Sequence, residues 1–323
     1  MDLSPLAIDG AAEAERIETT LARQVRGELR RKGLVVGLSG GIDSSVVAAL
    51  AVRALGAERV FGLFMPDRDS EGESTSLGRL LADHLGIEAV LEDVTPALEA
   101  LGCYRRQAEA ARAIFPELDE GYQFKLVLPS ILDSGRISVS HLTIRSPSGE
   151  TKTARMTAES YRQLVAATNF KQRVRKTMEY YHADRLGYAV AGTPNRQEFD
   201  QGFFVKQGDG AADVKPIAHL YKTQVYALAE VLGIPKAIRV RPPTTDTFSL
   251  AQTQEEFYFS LPYDRMDICL FAFNHGWPAA RTAEAADLSV EQVERVYGDI
   301  VSKRRTTRYQ HLPPQLVEAI EEV

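Results

Sequence analysis

The chain has 323 residues, 44% of them hydrophobic and 25% charged, with a formal net charge of −6. That is enough chain to bury a core, and too acidic a balance for a broad nucleic-acid footprint or an anionic membrane surface. Two cysteines, Cys103 and Cys269, give no disulfide framework or metal-ligand spacing, no apolar run is long enough to cross a bilayer, and the N-terminus is acidic where a signal peptide is basic; a reducing cytoplasm is the expected setting.

Ile17, Leu21, Val25 and Leu29 recur every four residues, so the spacing predicts an amphipathic helix over 12–32. LVVGL (34–38) is an unbroken apolar run suited to a strand buried on both faces. A helix over 44–55, a strand at 60–65, a helix at 77–86, a strand at 87–94 and a further helical stretch from Pro96 follow. Strands alternating with helices imply an α/β fold, a doubly wound, mostly parallel sheet flanked by helices.

Residues 121–156 break the rhythm. RISVSHLTIR and ETKTARM alternate polar with apolar residues around SPSG, as an inserted antiparallel β-hairpin does. NFKQRVRKTMEYYHADRLG then reads as a helix, YAVAG (188–192) as a fourth parallel strand, and YKTQVYALAEVLG as another helix. The C-terminal region, 254–323, is mostly helical in pattern, and the whole of 1–323 reads as one domain. The six histidines show no zinc spacing.

GLSGGIDSS (37–45) joins the first strand to an alanine-rich helix. Glycines there let a ligand approach the main chain, and amides at the helix start favour an anion. The lysine of the common phosphate loop is missing; Asp43 stands in its region. An aspartate cannot neutralise phosphate, but it can hold Mg2+, which bridges phosphate oxygens.

SGGIDSS after a first parallel strand resembles the pyrophosphate loop of the ATP pyrophosphatases. GTPNRQEFDQGFFVKQGDGAADVKPIAHLYKTQV (192–225), with NFKQRVR before it and PPTTD after it, resembles the ammonia-dependent NAD synthetases. That resemblance implies ATP-dependent amidation of deamido-NAD by ammonia through an adenylated carboxylate, with AMP and pyrophosphate released. ATP is the implied co-substrate and Mg2+ the implied metal.

On that basis Gly37, Leu38, Ser39, Gly40, Gly41, Ile42, Asp43, Ser44, Thr193, Lys222 and Thr244 are expected to hold ATP. Met65 and Pro66 are expected at the adenine. Asp43 and Glu198 are the expected metal ligands, and Asp43, Lys206 and Lys222 the expected catalytic residues. Arg173, Lys206 and Asp213 match contacts to deamido-NAD. The family carries a His-Lys pair shortly before a C-terminal Pro-Pro; counting back from Pro313 puts Arg308 and Tyr309 there, with Lys303 to Arg305 nearby as substitute cations.

A homodimer is implied, with apolar faces such as YALAEVL available for pairing. No frame for a glutaminase domain stands around Cys103, so free ammonia, or ammonia handed over by a separate protein, is the expected nitrogen source. Two other readings stand beside this one: an amide ligase for a different carboxylic acid, and a nucleotide-binding regulator without catalysis.

Overall fold

The computed structural model describes residues 1–70, 72–119, 121–128, 140–242, 247–250, 258 and 261–320. Its strands are β1 (Leu34–Gly37), β2 (Val60–Phe64), β3 (Glu88–Leu91), β4 (Gln123–Val127), β5 (His141–Arg145), β6 (Thr151–Arg155) and β7 (Ala189–Ala191). The first six α-helices are α1 (Gly10–Arg23), α2 (Ile42–Leu55), α3 (Gly72–Leu85), α4 (Thr95–Ala100), α5 (Cys103–Arg112) and α6 (Ala158–Leu186). The rest are α7 (Arg196–Gln201), α8 (Lys222–Val231), α9 (Lys236–Arg239), α10 (Tyr263–Asn274), α11 (Ala279–Ala286) and α12 (Val290–His311).

The central sheet is parallel and ordered β3-β2-β1-β7. Successive residues of β1 face opposite ways, so both faces of the sheet are buried. Leu34 and Val36 join α1, α2 and α8 in one core, whereas Val35, with Phe61, Leu63 and Val190, packs against Ala183 of α6. Helix α2 is apolar all round, from Val46 through Ala51, because it is sandwiched between the sheet and the outer helices α1 and α8.

Chain order and strand direction follow the sequence pattern, and the differences have local causes. The first helix stops at Arg23 and loosens into a π-turn over Gln24–Glu28. Helix α6 starts at Ala158, well before Asn169, capped by Thr157, whose hydroxyl accepts the Ser160 N–H at 3.1 Å. The extra turns serve to cover the inserted sheet, whose core Leu164 joins. That sheet has three strands, β4-β5-β6, rather than the two of a hairpin. β5 and β6 flank the expected SPSG turn, and residues 136–139 of the expected first strand lie outside the described residues.

Helix α8 turns Val225, Leu228 and Ala229 into the core, so the YALAEVL face is already covered within the chain. The C-terminal helices α10, α11 and α12 share a separate core around Met266, Leu270, Val296 and Ile300, closed by Leu6 from the N-terminus. Among the described residues no helix is long and apolar enough to cross a membrane.

One buried charge network pins α6 to the end of β2. Lys171, 1% exposed, donates to Asp67 Oδ1 at 3.0 Å and to Asp69 Oδ2 at 2.7 Å. Arg175, one turn on, donates to Asp67 Oδ2 at 2.7 Å and through Nε to the Met65 carbonyl at 3.0 Å. Removing one member of a buried ion pair strands the other's charge. Lys171→Met is therefore expected to lower unfolding free energy by about 3–5 kcal/mol in urea titrations; a loss under about 1 kcal/mol contradicts a fully desolvated network.

Candidate active site

β1 ends at Gly37 and the chain turns through Leu38–Gly41 into α2. Gly40 sits at φ +71°, and a Cβ there would lie 2.4 Å from the Ser74 carbonyl oxygen of α3, so only glycine keeps the turn this tight. Gly41 is the N-cap of α2 and no side chain caps the helix, which leaves its first-turn amides for a ligand. The hydroxyls of Ser44 and Ser45 donate to the Gly41 carbonyl at 3.1 and 2.8 Å, and Ser39 Oγ lies 3.2 Å from Ser44 Oγ.

Asp43, in the first turn of α2, is paired with the Lys222 ammonium and accepts from Asn195 Nδ2 at 3.1 Å. Lys222 opens α8 and is 2% exposed. Asn195 caps α7: its Oδ1 accepts the Gln197 and Glu198 amides at 2.9 and 3.3 Å, and Glu198 Oε2 accepts the Asn195 N–H at 3.0 Å. Three helix starts thus meet at the carboxyl edge of the sheet, where open α/β sheets place their ligands. Asp267 of α10 holds the start of α8 from behind, accepting from Lys222 N at 3.2 Å, Thr223 N at 2.7 Å and Gln197 Nε2 at 2.6 Å.

Burial, and after it the neighbouring Asp43, pushes the Glu198 carboxyl up to about 8. Burial pulls Lys222 down, but Asp43 and Glu198 more than offset it, and its pKa ends above the ordinary lysine value. The two carboxylates therefore share one pocket. A pair of hard oxygens from separate segments suits Mg2+, which keeps waters and takes the rest of its shell from phosphate. Among the described residues no group of three or more His, Cys, Asp or Glu side chains forms a closed metal cage.

The loop opens on a cavity of about 860 Å3 bounded by the end of β2, α6 and α12. Helix α6 supplies Arg175 and Glu179, the latter close against Gly37. Helix α12 presents Asp299, Lys303, Thr306, Thr307 and Gln310 to the cavity, a single stripe at helical spacing. Lys303 is held there by Asp299 at 2.8 Å and by the Tyr258 carbonyl at 2.9 Å, and burial lowers its pKa. Neither cysteine is a nucleophile candidate: burial pushes the Cys103 thiol up to about 11 and Cys269 to about 12.

Comparison with known proteins shows the family of the chain. The pattern of the NAD synthase family matches residues 13–116 and 135–311. An NH(3)-dependent NAD(+) synthetase of Rhizobium meliloti is 60% identical over 318 residues, 98% of this chain and 95% of its own. The protein of the same description from Mesorhizobium japonicum is 59% identical over 311 residues, 96% of this chain and 98% of its own. The chain belongs to the NAD synthase family. Its fold superposes on that of an NH3-dependent NAD synthetase from Campylobacter jejuni solved in complex with the nitrate ion, at a TM-score of 0.62 and 22% identity, covering 96% of this chain and all of that one.

In this NAD synthase fold the residues singled out from sequence fall into two groups. Gly37, Leu38, Ser39, Gly41, Ile42, Asp43, Ser44, Thr193, Glu198 and Lys222 line the main cavity, together with Met65 and Pro66, and Gly40 turns away beneath them. Thr244 lies outside the described residues. Arg173, Lys206 and Asp213 do not line that cavity. Arg173 Nε donates to the Lys206 carbonyl at 3.3 Å; Lys206 Nζ reaches the carbonyls of Tyr309 at 2.8 Å and Leu312 at 3.1 Å. Asp213 Oδ2 accepts the Val190 N–H at 2.7 Å, and the Tyr180 hydroxyl donates to its Oδ1 at 3.4 Å. Tyr180 lines a second hollow of about 430 Å3 with Lys176 and Gln207. Arg308 and Tyr309 are exposed, off the stripe that faces the main cavity.

Asn195, which bonds Asp43, and the cavity-lining Asp209, Arg241 and Gln310 are not among the residues singled out from sequence. Asn195 was legible, since Asn-x-x-Glu before a helix is a capping box. Asp209, which borders the cavity and whose pKa burial raises, carried no local signal.

Glu198 generates a pH prediction. Its carboxyl titrates near 4.5 when exposed and near 8 in the fold, so between those values the folded state holds the extra proton. The stability this adds is complete below the lower value and is lost as pH rises through the upper one. Without nucleotide or Mg2+, the urea midpoint should fall less steeply between pH 4.5 and 8 in Glu198→Gln than in wild type. An unchanged slope contradicts the assignment.

Proposed function

We propose that the protein makes NAD by ATP-dependent amidation of deamido-NAD with ammonia. The observation that carries the proposal is the meeting of the loop amides with Asp43, Glu198 and Lys222 at one cavity, in a chain about 60% identical to NH(3)-dependent NAD(+) synthetases. The substrate carboxylate oxygen attacks the α-phosphorus of ATP, and the bond to pyrophosphate breaks. Ammonia then attacks the acyl carbon and AMP leaves with the bridging oxygen, giving the amide and a proton. A carboxylate is a poor acyl donor, and the adenylate supplies its leaving group.

The first-turn amides of α2 and the hydroxyls of Ser39 and Ser44 take the departing pyrophosphate, adding donors where negative charge builds. Asp43 and Glu198 would hold Mg2+, which would neutralise phosphate oxygens. Lys222 keeps Asp43 oriented and sets a positive charge at the same spot. Arg173, Lys206 and Asp213, with Arg308 and Tyr309, receive the acid substrate in this proposal; mutual contacts of Arg173, Lys206 and the Tyr309 main chain support it. We further propose one catalytic unit over the whole chain, acting as a homodimer in the cytoplasm and taking ammonia free or from a separate protein. The free, buried state of both cysteines suits a reducing compartment.

Purified protein given ATP, Mg2+, ammonia and deamido-NAD should form NAD, AMP and pyrophosphate in equal amounts. Asp43→Ala should lower the rate at least about 100-fold with an unchanged circular dichroism spectrum. AMP release only with another acid would move the activity to a different substrate, and ATP binding without turnover would make the protein a regulator.

A further inference from the structure

Strand β4 falls in residues 117–134, the stretch that the family pattern leaves unmatched. Its two edges do different work. One pairs with β5. The other is taken by Ser249 and Leu250: the Phe124 N–H donates to Ser249 Oγ at 3.1 Å, and the Leu250 N–H donates to the Phe124 carbonyl at 3.2 Å. The Gln123 side-chain amide adds a bond to the Ser249 carbonyl at 2.9 Å. The Phe124 and Phe248 rings stand 6.0 Å apart, and Phe248 is buried in the insert's core with Leu126, Leu142 and Ile144.

These tethers end at the main cavity. Thr247, next to Phe248, lines it, and so do Leu128, just past β4, and Ser140, just before β5. On the loop side the cavity is lined by Arg241 and Pro242, and Arg241 donates to Ser74 Oγ at 3.0 Å. Thr247 and the Arg241–Pro242 pair thus line the same cavity as the Gly37–Ser44 loop. Residues 247–250 form neither helix nor strand. Fixing such backbone costs conformational entropy, and the β4 edge supplies the bonds that offset it.

We propose that β4 is a positioning strand for the ATP site, holding Thr247 in the cavity wall through the hydroxyl of Ser249. The proposal rests on reading the cavity as the ATP site of the ligase. Ser249 acts through Thr247 and touches no reacting atom, so its loss should weaken nucleotide binding and spare the chemical steps.

Steady-state kinetics of Ser249→Ala and Ser249→Thr, with calorimetric ATP titration of each, test this. In Ser249→Ala the KM for ATP should rise about fivefold, the scale of one hydrogen bond, with kcat and the KM for deamido-NAD within about twofold of wild type. Ser249→Thr, which keeps the hydroxyl, should restore the wild-type KM. An unchanged KM for ATP in both Ser249→Ala and Phe124→Ala overturns the proposal, as does an equal rise in the threonine variant. If wild type makes no NAD, the ligase reading fails, and the ATP titrations still decide the role of β4.

Discussion

A carboxylate and an ammonium meet where three helices begin, and the site is organised around that contact. Asp43 and Lys222 lie far apart in the sequence but on helices α2 and α8, which pack directly on each other. Bringing two charges out of water is costly, and the pair survives only with further partners. Asn195 supplies one, and Asp267 fixes the backbone from which Lys222 projects. With Glu198 protonated below about 8, the resting cluster of Asp43, Lys222 and Glu198 is close to electroneutral. In the proposed reaction an anionic nucleotide would thus meet a loop of amides whose nearest aspartate is already paired.

The sheet and the loop were legible in sequence because they depend on local rules. A β-branched run buried on both faces reads as an inner parallel strand, and glycines ahead of an alanine-rich helix read as an anion-binding turn. Of the α12 wall only Lys303 was legible, as one of the substitute cations near the Pro-Pro. Counting from Pro313 points to Arg308 and Tyr309, whereas the helix turns Lys303, Thr306, Thr307 and Gln310 inward. Which stripe faces a cavity is decided by tertiary packing, here by Val296 and Ile300 seating on the C-terminal core. β4 was missed for a similar reason: QFKLV is short, and its partners Arg145–His141 and Ser249–Leu250 lie far along the chain.

The basic run in α6 shows how one motif divides its labour. Lys171 and Arg175 turn inward to bind Asp67, Lys176 pairs with Glu179 at 2.6 Å beside the loop, and Arg173 points outward to the Lys206 main chain. Burial holds Lys171 and Lys176 in ion pairs within the protein, and Arg175 both binds Asp67 and borders the cavity. The long helix α6 thus links the inserted sheet, through Leu164, to the Gly37–Gly41 turn, through Glu179.

Calorimetric titration of inorganic pyrophosphate into the protein, with Mg2+ and with a chelator, addresses the central contact most directly. If the loop amides hold the diphosphate while Asp43 and Glu198 hold its metal, binding should weaken about tenfold or more when Mg2+ is chelated. Glu198→Gln should show the same weakness with Mg2+ present. Pyrophosphate binding that is equally tight with the chelator, or unaffected by Glu198→Gln, would contradict the account.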